Sequence, residues 1–356
     1  MEAQVSRPKS EIERRLVEHP EGASLHAGTQ RRSAHSPEGQ QRLSLRRLRA
    51  WETLKYGMFL TFGMSTFDGD EVSKGDKTSS FFRPDKLDVD QWISVARDAG
   101  MRYAVLVAKH TAGHCLWPSR HTAYHVGTSG NKTDVVEAFV TACRKRGLLP
   151  GLYYCAWDNR HRFGSLTPTF ANPKTGAPFT TQAYEEFQSA QIEELLTQYG
   201  EIGEVWIDIP AVLTRDFRNR HYTRIAELQP RAVIVMNQGL GNGSVLNVDK
   251  VWPTDVIEIE RHVPYSLTGY QKWREVNGKK YYLPGEVCDT IGKEWFCINN
   301  DQPRPDAELL GMYLITITRG ANLLLNVPPD KHGLIRKQYI DALHRLRTNL
   351  KRLGFN

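Results

Sequence analysis

Seven short apolar runs recur along the chain, most of them followed by an amphipathic stretch or a long loop, and this alternation restricts the fold more than any other feature. The runs are GMFLTFG (57–63), YAVLVAKH (103–110), LLPGLYYC (148–155), GEVWIDI (203–209), AVIVMN (232–237), DVIEIE (255–260) and NLLLNVP (322–328). Between them, DVDQWISVARDAG puts Trp92, Val95, Ala96 and Ala99 on one helical face. Residues 134–146 do the same with Val135, Phe139, Ala142 and Cys143, and residues 184–199 with Phe187, Ile192, Leu195 and Leu196. Repeated βα units specify a parallel sheet. An open dinucleotide-binding sheet would carry GxGxxG after its first strand, and GMFLTFGMSTF has none. Polar residues instead gather where the runs end: Lys109 and His110, Tyr154 and Trp157, Asp208, Asn237 and Gln238. A closed barrel keeps its site at that end of its strands. The predicted class is α/β, a (β/α)8-like (TIM-type) barrel spanning residues 49–356.

The first 48 residues read differently. They contain no Phe, Trp or Tyr, and residues 1–50 carry ten Arg or Lys against six Glu, a net +4 of the chain's +7. Too little apolar surface is present to offset the entropy of ordering, so 1–48 is expected to be a disordered basic leader, with a short helix over SEIERRLVEH capped by Ser10. It lacks the apolar core of a secretory signal, and its six Glu argue against a transit peptide; the default compartment is the cytoplasm. The folded body is close to charge balance and has no aromatic and basic stripe, so no nucleic-acid partner is expected. No apolar run approaches the roughly 18 residues of a membrane span, so no membrane partner is expected either. Five cysteines, odd in number and widely spaced, read as reduced thiols. His121 and His125 in HTAYH lack the Glu of a metalloprotease helix, so no metal and no cofactor are expected.

A carboxylate that ends an apolar run lies near a pocket floor, and Asp208 ends Val205-Trp206-Ile207. Further acids follow at Asp255, Glu258, Glu260 and Glu286. A pair of carboxylates is the minimum for cleaving a glycosidic bond, one as nucleophile or base and one as proton donor. Trp117, Trp157, Trp206, Trp252 and Trp295 fall near strand ends, and some of them would offer a sugar's apolar face a surface to stack on. His110 is placed to bind a hydroxyl.

Five blocks in order, WETLKYGMFLTFGMSTF, AGMRYAVLVAKHTAGHCLWPS, GLYYCAWDNRHRFG, GEVWIDIP and NLLLNVPPDKHGLI, make the chain resemble the α-L-fucosidases of glycoside hydrolase family 29 from about Trp51 to Leu343. The resemblance implies a catalytic barrel that hydrolyses terminal α-linked L-fucose with retention, through a covalent fucosyl-enzyme and without a metal. Its partner would be a fucosylated oligosaccharide or glycoconjugate. Asp208 matches the family's nucleophile. Lys109 and His110 match its Lys-His segment, and Trp117, Tyr154 and Trp295 look like its pocket residues, with Trp157 and Glu286 as further sugar-binding candidates. The acid/base falls in the segment after Trp252. Asp255 fits best by distance from that Trp, Glu260 by reach, and Glu258 shares a strand face with Glu260.

The chain also departs from the family. Thr61 stands where Phe-Ile-His-Trp-Gly has its His, and Thr111 and Ala112 replace the second His and the Asp of Lys-His-His-Asp-Gly-Phe. A relaxed or altered sugar preference follows from those losses, each absent hydrogen bond being worth about 0.5–1.5 kcal/mol. The departures are also compatible with a glycosidase for another fucose-like sugar or with a non-catalytic carbohydrate-binding descendant. After NVPPD the chain carries a basic helix, KQYIDALHRLRTNLKRLGFN. That helix is expected to close the barrel through Leu343, Leu346 and Leu350, without the C-terminal β-sandwich that many family members carry.

Overall fold

The computed structural model describes residues 38–161, 180–237, 239, 241–267, 269–298 and 300–355. The leader's predicted helix lies outside them. Among the described residues, ten strands run in chain order as β1 (Tyr56–Leu60), β2 (Tyr103–Lys109), β3 (Leu149–Cys155), β4 (Glu204–Asp208), β5 (Val233–Asn237), β6 (Ile257–Glu260), β7 (Trp273–Val276), β8 (Lys279–Tyr282), β9 (Gly285–Thr290) and β10 (Asn322–Asn326). Eight of them form one sheet in the order β5-β4-β3-β2-β1-β10-β9-β6, with every pair parallel. Its two edges meet through a parallel bridge between Val235 and Val256 and through the Asp255 N–H, which donates to the Ile234 carbonyl at 2.8 Å. The barrel is thereby closed, as the βα alternation predicts. Strands covered on both faces read as continuous apolar runs, and β2 is buried at every position. Of the eight barrel strands, the one that sequence reading passed over is β9, GEVCDT, also buried throughout; its Glu286 and Asp289 disguise it as a loop.

Helices α1 (Leu45–Glu52), α2 (Val89–Asp98), α3 (Val135–Arg146), α4 (Gln182–Gln198), α5 (Arg215–Leu228), α6 (Asp306–Thr318) and α7 (Lys337–Arg352) accompany the strands. Several of their starts are fixed by side-chain caps: Asp88 accepts from the Gln91 N–H at 2.9 Å, Asp134 from Glu137 at 2.9 Å and Thr214 from Phe217 at 3.1 Å. Each such cap is worth about 1 kcal/mol over alanine. Tyr339, Ala342, Leu343, Leu346 and Leu350 form the buried stripe of α7, which packs against α6. The antiparallel hairpin β7–β8 fills the connection between β6 and β9. Among the described residues, no helix is long and apolar enough to cross a membrane.

The ordered body starts N-terminal to residue 49. Ser44 caps α1, Leu43 and Leu48 are buried, and Arg42 is buried against Asp255. Arginine-rich composition reads as solvated, but this arginine is an interior ion-pair partner.

Candidate active site

Strand alternation sends every second side chain to the barrel axis, and β3 and β4 show which. Tyr153 and Trp206 stack at 6.3 Å between ring centres, Phe59 meets Trp206 at 5.4 Å and Tyr153 at 5.8 Å, and Asp208 follows Trp206 at the C-terminal end of the axis. The Asp208 carboxylate accepts from the Tyr153 hydroxyl and, at 2.8 Å, from Asn237 Nδ2. Burial raises its pKa, and those two hydrogen bonds pull in the opposite direction. The residue after it, Ile209, has φ 51° and ψ 44°, a left-handed conformation that β-branched residues avoid unless their surroundings enforce it.

Glu260 ends β6, next to β5 around the barrel. Its Oε2 accepts a 2.9 Å hydrogen bond from the same Asn237 nitrogen that holds Asp208. The two carboxylate oxygens therefore lie no more than about 5.7 Å apart, near the about 5–5.5 Å of a retaining pair and short of the about 6.5–9.5 Å of an inverting one. Burial, and then the negative charge of Asp208, push the Glu260 pKa up to about 7. Arg261, also left-handed at φ 59°, bonds Thr290 Oγ1 at 2.6 Å and Asp289 at 3.2 Å and places its guanidinium 5.2 Å from the centre of the Trp295 ring.

Around this pair stands an aromatic wall. Trp295 meets Phe59 at 6.1 Å. His110 stacks on Tyr153 at 5.9 Å and meets Phe296 edge-on at 4.9 Å. Burial lowers its pKa to about 4 despite a hydrogen bond to the Glu71 backbone, so the imidazole is neutral at pH 7. The Glu71 carboxyl, on the loop after β1, is raised by burial and feels Arg261, Glu294 and Asp208; Glu260 in turn feels Glu71. The Thr61 hydroxyl lies between the Trp295 carbonyl and Asn326 Oδ1, the latter at 2.9 Å. It helps seat Trp295.

Asp208, Glu260, His110 and Trp295 thus come together at one end of the barrel, and most of the other predicted residues are engaged away from the pair. Lys109 and Tyr154 point out toward α4: Lys109 Nζ donates to Tyr154 at 2.8 Å and pairs with Asp158 at 2.6 Å, all fully buried, and Tyr154 donates to Gln191 at 2.8 Å. Trp117 is buried, donating to Glu194 at 3.1 Å. Trp157 lies just beyond the end of β3, at the same barrel end as Asp208, and donates to Asn159 at 2.7 Å. Asp255 precedes β6, at the opposite end from Asp208, and is held by Arg42 at 2.6 Å, the Tyr222 hydroxyl and the Ile234 N–H at 3.0 Å. Glu286 is in the barrel floor, accepting from Tyr103 at 2.6 Å and hydrogen-bonded to Glu204. Glu258 is one layer below Glu260. Tyr153, Phe59, Phe296, Glu71 and Arg261 were not singled out from sequence, and Asn237 was noted only as a strand-end polar residue. Alternation within VWID and LYYC is the signal that separates inward Tyr153 from outward Tyr154.

A family model described as alpha-L-fucosidase matches residues 74–354. Alpha-L-fucosidase 1 of Arabidopsis thaliana is 33% identical over 313 residues, covering 82% of this chain and 57% of the relative; the chain therefore spans little more than half the relative's length. Among solved structures, alpha-L-fucosidase isoenzyme 1 of Paenibacillus thiaminolyticus aligns with a TM-score of 0.71 at 24% identity, over 87% of this chain and 76% of that one. The Lactobacillus casei alpha-L-fucosidase in complex with its α-L-fucose product aligns at 0.66 and 21% identity, over 86% and 99%. At those identities the two structures bear on the fold.

Proposed function

The chain belongs to the α-L-fucosidase family, and on that premise we propose that it is a retaining exo-α-L-fucosidase that cleaves terminal α-linked L-fucose from glycans. Asp208 is the nucleophile and Glu260 the acid/base. The observation that supports this reading is the shared Asn237 amide, which keeps an ionisable pair within about 5.7 Å of each other, short of the separation of an inverting pair.

In the first half-reaction an Asp208 oxygen bonds to the anomeric carbon as the glycosidic C–O bond breaks, and the Glu260 proton passes to the departing oxygen. The Asp208 charge helps keep that proton on Glu260. Once Asp208 is esterified its charge is gone, the Glu260 pKa falls, and the carboxylate becomes the base for the second half. It then takes a proton from water, the water oxygen bonds to the anomeric carbon, and the ester C–O bond breaks. Two inversions return the original configuration. Tyr153 and Asn237 stabilise the Asp208 carboxylate as it is expelled.

Neutral His110 and the Glu71 carboxylate are the hydroxyl partners we assign. Phe59, Trp295 and Phe296 supply apolar surface for the methyl group of a 6-deoxy sugar. Lys109, Tyr154, Trp117 and Asp255 are assigned to the scaffold, since their polar atoms are engaged within the protein, and Glu286 is assigned there because it lies in the barrel floor against Tyr103.

The test is incubation with an aryl α-L-fucoside and with fucosylated oligosaccharides, following the first-formed anomer by NMR. The α-anomer from wild type and no release by Asp208→Asn are expected. First-formed β-fucose would overturn retention, and release of no fucose by folded protein would overturn the activity, leaving a carbohydrate-binding protein or another sugar.

A further inference from the structure

Beneath the catalytic pair is a second cluster that the proposed reaction does not use. Glu258 shares the inward face of β6 with Glu260, two residues apart. On the neighbouring strand β9, Cys288 stands in register with Glu260, so its thiol enters the same space. The Cys288 S–H donates to Glu258 Oε1 at 2.7 Å. The second oxygen, Glu258 Oε2, is shielded from water and receives no well-formed hydrogen bond, although both residues are only 1% exposed. One ligand atom from each of Glu258, Glu260 and Cys288 lies within 4.8 Å of the other two. A buried carboxyl oxygen left without a partner is unfavourable, and here it accompanies a thiol and a second carboxyl group.

We propose that Glu258, Glu260 and Cys288 form a binding site for a thiophilic divalent cation, Zn²⁺ foremost, and that an ion bound there switches the enzyme off. One sulfur and two oxygens suit tetrahedral Zn²⁺, with bonds of about 2.3 Å to sulfur and about 2.0–2.2 Å to oxygen and the fourth position open to water from the pocket. Ligand atoms around such an ion stand about 3–4 Å apart, inside the observed limit. Mg²⁺ and Ca²⁺ require six or more oxygens, which this set does not supply. On binding, the thiol proton and any carboxyl protons leave to solvent, and the ion takes their place on the ligand lone pairs. With Glu260 on the metal, no proton is available for the departing oxygen. The inhibition rests on the proposed function; the binding does not.

Calorimetric titration of the metal-free full chain with zinc chloride, and separately with magnesium chloride, tests the site. One Zn²⁺ per chain is expected, with no Mg²⁺ uptake. Cys288→Ser and Glu258→Gln, each checked for folding by circular dichroism, should weaken Zn²⁺ binding at least about tenfold. Cys297→Ser, which alters the one partly exposed thiol, should leave it unchanged. Aryl fucoside hydrolysis should fall over the same Zn²⁺ range and return with EDTA. Absence of Zn²⁺ binding, or equal affinity in wild type, Cys288→Ser and Glu258→Gln, would overturn the site, and Zn²⁺ bound without loss of hydrolysis would overturn the switch. If wild type releases no fucose at all, calorimetry still decides the site, so the two readings fail separately.

Discussion

One amide nitrogen, Asn237 Nδ2, touches both carboxylates of the candidate pair, and the chemistry of each acid then follows from its own surroundings. Glu260, held near pH 7 by burial and by Asp208, sets the alkaline limb: kcat/KM should fall about tenfold per pH unit above about 7 as the acid loses its proton. Glu260→Gln should abolish that limb. It should also cost about 10²–10⁴ in rate on natural glycans and much less on an aryl fucoside whose leaving group needs no proton, a contrast that paired kinetics would measure. In the proposed mechanism Asp208 sets the acid limb. The Tyr153 hydroxyl favours its charged form, so Tyr153→Phe should move the acid limb to higher pH while lowering kcat; an unmoved limb would remove Tyr153 from this role. Asp208 was legible because an acid ending an apolar run is conspicuous. Tyr153 was not, because LYYC offers two tyrosines and only the strand's phase says which one faces the axis.

Phase is a property of whole elements, and it explains where Lys109 went. Tyr103 and Val105 of β2 face the axis, and continued alternation would send Lys109 there too. A register shift between Val107 and Lys109, where Lys109 pairs with Tyr154, rotates the end of the strand, and a one-residue slip exchanges the two faces. Lys109 turns out to the Asp158 ion pair and His110 turns in. A bulge leaves little trace in sequence, whereas runs such as YAVLVAKH announce a strand buried on both sides. The start of α1 was obscured for a different reason: the basic residues of RLSLRRLR resemble a solvated tail, yet Arg42 closes on Asp255 across 213 residues of chain. Arg42→Met should therefore destabilise the fold by about 3–5 kcal/mol by stranding a buried charge, as read from urea denaturation. The pH profile of hydrolysis should stay in place. A shifted profile would return Asp255 to the list of acid/base candidates.

At the scale of the whole molecule, three glutamates inside the barrel hold their protons more tightly than the unfolded chain does. Glu204, Glu258 and Glu286 are fully enclosed; burial raises the pKa of all three, and at Glu286 the neighbouring acids Glu204 and Glu258 add to it. Such a column is invisible from sequence, since a glutamate in EVWID or GEVCDT reads as a strand-edge residue until closure of the sheet turns it inward. The native state releases these protons at higher pH than the unfolded chain, whose carboxyls lose theirs at about pH 4.3. Native therefore binds more protons above that point, and stability falls as pH rises. Buried neutral histidines oppose this trend: His110, His114 and His221 are lowered to about 4, 3 and 3. The unfolded chain protonates its histidines below about 6.5, so their stabilisation is lost as pH falls through that value and is constant above it. Above about pH 6.5, and below the range in which unfolded thiols and phenols titrate, the acids' slope remains. Glu286→Gln keeps the side chain's shape and a donor toward Glu204 while removing one retained proton. Its stability relative to wild type should grow by about 1.4 kcal/mol per pH unit above about pH 6.5, until Glu286 ionises in the native wild type. Urea melts of both proteins at three pH values in that range would measure the difference, and a difference independent of pH would mean that Glu286 carries no proton in the folded barrel.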